Sequence, residues 1–188
     1  MILKLIQIIL SSTLVSSYEL IKTFDFSFNQ IKLEFCNTSS DTFIDSVNNV
    51  TKYLNTFDYL PDFNKKPTSK IVPICEIDMP TYQYGYTRFS TDNDFREILI
   101  SKRLTQSENT RYNVILHEFV HLFGLTHVDD FSQVMGYKVT LDVNRNIIED
   151  EYKYILGEDD IDGLKFLYEN EEFKCNKKKI IKMIKDCL

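Results

Sequence analysis

His117-Glu118-Phe119-Val120-His121-Leu122-Phe123-Gly124-Leu125-Thr126-His127 is the stretch on which the reading of this chain turns. His117 and His121 stand one helical turn apart, so on a helix both imidazoles leave the same face and can take adjacent corners of a tetrahedral metal site. Glu118 falls beside that face, where it can reach a water on the metal without being a ligand. Gly124 sits where the helix must stop, because a residue without a Cβ can take positive φ and turn the chain sharply. That turn brings His127 back to the same point from another direction. The chain has only three histidines, and all three occupy this pattern. Ordinary surface or core histidines would have no reason to concentrate so. Three neutral imidazoles leave a zinc ion one open position, the catalytic rather than the structural arrangement.

Working outward, Tyr112, Ile115, Phe119 and Leu122 form one apolar stripe, which predicts a helix from a cap at Thr105 or Thr110 to about Gly124. Residues 31–36 (Ile-Lys-Leu-Glu-Phe-Cys) alternate apolar and polar like a half-buried strand. Ser40 or Asp41 can cap a helix with Phe43, Ile44, Val47, Val50, Leu54 and Phe57 near the 3.6 period. Residues 70–77 read as a strand, and Pro73 inside it predicts a place at the sheet edge. Residues 82–89 and 97–103 read as two more strands, split by the polar turn at 90–94. A third helix should begin near Gly157, with Ile161, Leu164, Leu167 and Tyr168 as its apolar positions. Strand, helix, strands, helix, helix is an α+β order.

The residues His117, Glu118, His121, Gly124 and His127 match the HExxHxxGxxH signature, and the segment resembles the metzincin zinc metalloproteases. Residues 132–137 look like their Met-turn, in which Met135 would lie beneath the metal as a hydrophobic floor. Eight residues separate His127 from Met135, the short spacing of the matrixin (matrix metalloproteinase) branch. Residues 156–168, with Asp159, Asp160 and Gly163, are similar to the matrixin C-terminal helix. The resemblance implies a metzincin-type catalytic domain: a twisted mixed sheet with an antiparallel edge strand, an active-site helix, a Met-turn and a C-terminal helix. It implies a zinc endopeptidase in which Glu118 takes a proton from the attacking water and passes it to the leaving amine. An extended polypeptide substrate would add as a strand along Tyr84-Gly85-Tyr86-Thr87-Arg88-Phe89, unless that strand only packs in the sheet. Residues 137–141 would wall the specificity pocket. One zinc is expected; calcium is common in the family, although no acidic cluster here has assignable loop spacing.

Other residues carry two readings. Asp159 and Asp160 oppose the dipole of the helix they open. In matrixins such a pair also supports the Met-turn and receives the new N-terminal ammonium, here that of Tyr18 pairing with Asp159. Tyr137 stands where astacins and serralysins place a tyrosine that can reach the metal, and is either an extra ligand or a pocket wall. The chain departs from matrixins in lacking a cysteine-switch segment, in Val120 for a usual Gly and in Phe131 for a usual Pro.

Residues 1–17 read as a secretory signal: Lys4 precedes the apolar run 5–10, with Val15 and Ser17 placed for cleavage before Tyr18. The alternative is an N-terminal core strand or helix. The run is too short to span a bilayer, so no transmembrane anchor is expected. Four cysteines and the sequons at Asn37 and Asn49 agree with a secreted, extracellular chain. Residues 18–172 would form the catalytic domain and 173–188 a Lys-rich tail, either a solvated helix face or a contact for acidic glycans or membrane surfaces. Strands joined by one crossover helix often lie side by side, which favours Cys36–Cys75 and then Cys175–Cys187 among the three pairings available. Cys36 or Cys75 capping the zinc in a latent form is the other option. The formal charge of −6 argues against a nucleic-acid partner. A monomer is expected. The competing function is a non-catalytic secreted binding protein that keeps zinc as a structural clip, but a clip has no use for a base at Glu118.

Overall fold

The computed structural model describes residues 31–63, 70–90 and 95–169. The first strand, β1 (Ile31–Phe35), leads through a tight turn into helix α1 (Asp41–Leu54). Ser40 caps that helix, its Oγ accepting the Phe43 N–H at 3.3 Å. The apolar stripe predicted for α1 is its core face: Phe43, Val47, Val50 and Leu54 are fully buried. Each such side chain contributes about 1.5–3 kcal/mol by leaving water. The helix is the crossover that parallel strands require, and β2 (Lys70–Ile77) returns beside β1 with Leu33 opposite Val72 and Phe35 opposite Ile74. This brings Cys36 and Cys75 together, with Cα atoms 5.1 Å apart, in a disulfide.

Two further strands complete a mixed sheet in the order β1-β2-β4-β3. β4 (Phe95–Ser101) runs parallel to β2, and β3 (Gly85–Ser90) runs antiparallel along β4 as the edge. The expectation that Pro73 marks a sheet edge is overturned, since β2 is an interior strand. The reason is local. The Ile74 carbonyl accepts from Cys36 on the β1 side, so the adjacent Pro73 turns the other way, and pairing with β4 begins only at Ile74 opposite Ile98. The missing N–H therefore falls just before that ladder starts.

Helix α2 (Glu108–Leu122) packs against the sheet with Ile115, Leu116 and Phe119 fully buried beside Ile74, Ile98 and Ile100. Its start differs from the predicted cap at Thr105 or Thr110. Ser107 precedes the helix and makes no side-chain cap bond. The Asn109 N–H instead donates to the Glu149 carboxylate, about forty residues downstream. Thr110 points elsewhere, its hydroxyl accepting from the Asp150 N–H at 3.2 Å. After α2 the chain runs irregularly through a single 3-10 turn at Val134–Gly136 and a Leu141–Ile147 bridge to helix α3 (Glu158–Glu169). Among the described residues no helix is long and apolar enough to cross a membrane. Tyr18, the 1–17 segment, Cys175, Cys187 and the 173–188 tail lie outside the described residues.

Candidate active site

Helix α2 ends as its glycine requires. Gly124 has φ 106°, its N–H donates to the His121 carbonyl at 2.8 Å, and Leu125 N–H donates back to Val120 at 3.3 Å, the paired bonds of a Schellman turn. The reversal also supplies an orienting group: the Leu125 carbonyl lies 2.8 Å from His121 Nδ1. His117 Nδ1 is likewise 2.8 Å from the Val134 carbonyl. A carbonyl only accepts, so in both rings Nδ1 carries the proton and Nε2 presents a bare lone pair. His127 Nε2 lies 3.0 Å from both of those lone-pair nitrogens. At most one of the three, on His127, can hold a proton.

This donor set fits a cation. One ligand atom from each ring lies within 4.8 Å of the others, and tetrahedral zinc with Zn–N bonds of 2.0–2.1 Å would hold nitrogens roughly 3.3 Å apart. The triad therefore suits one zinc ion. Burial first, then the His121 ring, holds His117 down at about 3. Burial likewise lowers His121 to about 4, against the pull of its Leu125 hydrogen bond, and His127 is lowered by burial and by Lys138. Imidazoles kept neutral in this way are the form a metal needs.

The Val134 carbonyl that orients His117 belongs to the turn carrying Met135, itself buried. Asp160, buried in the first turn of α3, accepts from Val134 N–H at 2.8 Å, from Gly157 N–H at 3.1 Å and from Met135 N–H at 3.4 Å. Burial raises its carboxyl while these amides pull it back down. A chain of contacts thus runs from Asp160 through the 134–136 turn to His117. Asp159 is only half-buried in the same turn of helix, and its suggested partner Tyr18 lies outside the described residues.

Glu118 is buried against β3. Thr87 Oγ1 lies 2.6 Å from Glu118 Oε2 and 2.9 Å from the Glu118 carbonyl. A Cβ on Gly85 would fall 2.4 Å from Glu118 Oε1, so the carboxylate rests where only glycine leaves room. Burial pushes the Glu118 carboxyl up to about 7, with the Thr87 hydrogen bonds opposing. The residues expected to form the substrate strand divide here. The Tyr84 carbonyl accepts from Ser101 at 2.9 Å, its ring lies under the Arg103 guanidinium at 5.2 Å, and Arg88 pairs with Glu97 at 2.8 Å. Strand alternation then turns the main-chain groups of Gly85 and Thr87 to the side of β3 away from β4. Tyr86 is exposed, and Thr87 is buried beneath Glu118.

Tyr137 is held by the segment that follows it. Its hydroxyl donates to Asp150, its ring packs edge-on against Tyr154 with centroids 5.1 Å apart, and burial raises its pKa. Asn113, one turn before His117 on α2, donates to the same Asp150 carboxylate at 3.0 Å and accepts from Tyr154 N–H at 2.7 Å. Leu141 bridges to Ile147, and the intervening tip is knitted by the Asp142 carboxylate, which accepts from the Asn144 and Asn146 amides. Asn37 and Asn49 are both exposed. The sequence points to Thr87 only as part of the substrate strand, not as a partner of Glu118, and does not point to Asn113 or Asp150. The one available signal was Asn113, a polar residue between apolar neighbours on a helix one turn ahead of a ligand position.

The matrixin family model matches residues 66–169, more than half of the chain. The chain belongs to the matrixin family. Its architecture, with one antiparallel edge strand, three helices among the described residues and the histidine triad, is consistent with a matrixin-like catalytic domain. Among curated proteins, none matches the chain. The matrixin match begins just before β2, so β1 and α1 precede it. The family supports a zinc metalloprotease, and a protease of this kind would act on polypeptide.

Proposed function

We propose that this matrixin is a secreted, monomeric zinc endopeptidase that cleaves internal peptide bonds of extended polypeptide. The observation that carries the reading is the convergence of three Nε2 atoms, two of them aimed by backbone carbonyls, beside a buried carboxylate on the same helix. His117, His121 and His127 would hold the ion. Zinc, when bound, supplies Lewis acidity that makes water a nucleophile at neutral pH and polarises a carbonyl.

The remaining work belongs to the chain. Glu118, raised to about 7 by burial, can take a proton from the attacking water and return it to the departing amine near neutral pH. The edge of β3 away from β4 offers the main-chain groups of Gly85 and Thr87 to a substrate strand. Tyr137 and the segment to Leu141 form the wall on the other side, with Tyr137 held there by Asp150. Met135 and Gly124 support the histidines, and Asp160, with Asp159 beside it, supports the turn below them. The Cys36–Cys75 disulfide and the exposed Asn37 and Asn49 sequons support secretion after removal of residues 1–17, glycosylation at those asparagines and a second bridge, Cys175–Cys187.

The test is cleavage of an unstructured protein by the purified chain from Tyr18 onward, with bound metal measured in parallel. The wild type should hold one zinc and cleave, and a chelator should abolish cleavage. Glu118→Ala should keep the zinc and lose about 10²–10⁴ in kcat. A Glu118→Ala protein that cleaves normally refutes the base, and a zinc-bound wild type that cleaves nothing supports a structural clip instead.

A further inference from the structure

We infer that Thr87, with Gly85 beside it on the edge strand, is a positioning residue for Glu118: its hydroxyl anchors one carboxylate oxygen and leaves the other for the proton transfer. This rests on the reading of Glu118 as the base and adds the means by which it is held.

A carboxylate that must pick up and release a proton works best with one oxygen tethered and one available, because a free Glu side chain turns about three bonds. Both halves of that requirement are met here. Thr87 Oγ1 is 2.6 Å from Glu118 Oε2, and the two residues are 7% and 5% exposed, so water does not compete freely for the bond. A hydroxyl has one proton. Its two acceptors are Oε2 and the Glu118 carbonyl at 2.9 Å, and the second already lies in the helical hydrogen-bond ladder. The shorter contact to the charged group is the stronger bond. Glu118 Oε1, meanwhile, lies over Gly85, 2.4 Å from where a Cβ would stand, with Cγ 2.8 Å from the same point. Among the described residues Oε1 has no hydrogen-bond donor. Gly85 therefore clears the space that the working oxygen occupies, and Thr87 two residues along fixes the other. Residues two apart on a strand face the same side, which is how one edge strand serves both ends of one carboxylate.

The experiment uses the zinc-loaded full mature chain. Thr87→Val keeps the shape and removes the hydroxyl, whereas Thr87→Ser keeps the hydroxyl. Thr87→Val should lower kcat about ten- to a hundredfold, the loss of one hydrogen bond to a charged group, with KM and zinc content unchanged. Thr87→Ser should restore most of the rate. Gly85→Ala should also lower kcat with zinc retained, because the added methyl displaces the flexible end of Glu118 rather than backbone. On a Glu118→Ala background, Thr87→Val should cost nothing further in the residual rate. The melting temperatures of the four proteins of that cycle should be non-additive, a readout independent of turnover. If Thr87→Val is as active as wild type while Glu118→Ala is inactive, the positioning role is wrong and the base stands. It is equally wrong if Thr87→Val loses zinc in step with rate, or if its loss persists on the Glu118→Ala background. If Glu118→Ala itself is fully active, the underlying reading of the base has failed instead.

Discussion

Helices α1 and α2 are of nearly equal length, 14 and 15 residues, and they handle their polar residues in opposite ways. On α1 the polar side chains Asp41, Thr42, Asp45, Asn48, Asn49 and Lys52 are exposed, Ser46 is the buried exception, and the cap is the neighbouring Ser40. On α2 almost every side is covered, so Thr110, Arg111, Asn113, His117 and Glu118 are buried. Each then needs a partner, because a buried polar group without one costs about 1–3 kcal/mol. Most of the partners come from afar: Arg111 donates to Ser46 Oγ as well as to the nearby Leu104 and Thr105 carbonyls. Asn113 meets Asp150, His117 meets Val134 and Glu118 meets Thr87. The lesson is that α1 is held by its own pattern, whereas α2 is held by the rest of the molecule, and the chemistry sits on the second kind of helix.

That contrast can be broken or sharpened by substitution. The largest effect should come from Asp160→Ala, which strips the acceptor from three amides and loosens the turn that aims His117. Stability should drop by roughly 3–5 kcal/mol, and zinc affinity should fall 10–100-fold, read by denaturant unfolding and by competition with a metal indicator. Wild-type zinc affinity in that variant would show that α3 does not reach the site. Asn113→Ala comes next, at about 2–3 kcal/mol, because it orphans the Tyr154 N–H and deprives the Asp150 carboxylate of a donor; chemical denaturation measures it.

A smaller effect is set by pH. In the zinc-free protein His117 and His121, lowered to about 3 and 4, refuse protons that the unfolded chain accepts below about 6.5. Their contribution is intact above pH 6.5 and is lost as pH falls toward 4. Glu118, raised to about 7, works the other way, holding a proton the unfolded chain releases. Two histidines against one carboxylate leave a net of about one proton, so stability should fall by about 1–2 kcal/mol between pH 6.5 and 5. Thermal unfolding across that range tests the sign, and Glu118→Gln should steepen the slope. The smallest effect belongs to α1: Ser40→Ala should cost about 1 kcal/mol and leave zinc binding and kcat untouched.

Much of the frame was legible in the chain itself, and the misses have a common form. The α1 stripe from Phe43 to Leu54, the start of α3 after Gly157 and the reversal at Gly124 all depend on residues near in sequence. The pairing of Cys36 with Cys75 followed from one crossover helix. Pro73 misled because an edge rule counts a missing N–H without knowing which side of the strand it faces. The cap of α2 misled because Thr105 and Thr110 look local, while the group that meets the helix start is Glu149. Tyr137 carries two roles in the sequence, and what the fold adds is a partner, Asp150, for its hydroxyl.

By itself, the amino-acid order determined the identity of the metal-binding set and of the acid beside it, because a helical turn and a glycine reversal are geometric consequences of spacing over eleven residues. Only the tertiary structure decided that the Val134 carbonyl aims His117, that Asp160 anchors the turn beneath the histidines, and that Thr87 and Gly85 cradle the carboxylate. Each of those contacts joins residues separated by many others in the chain. Nothing in the local pattern marks one of them as the other's partner until packing has removed water from both.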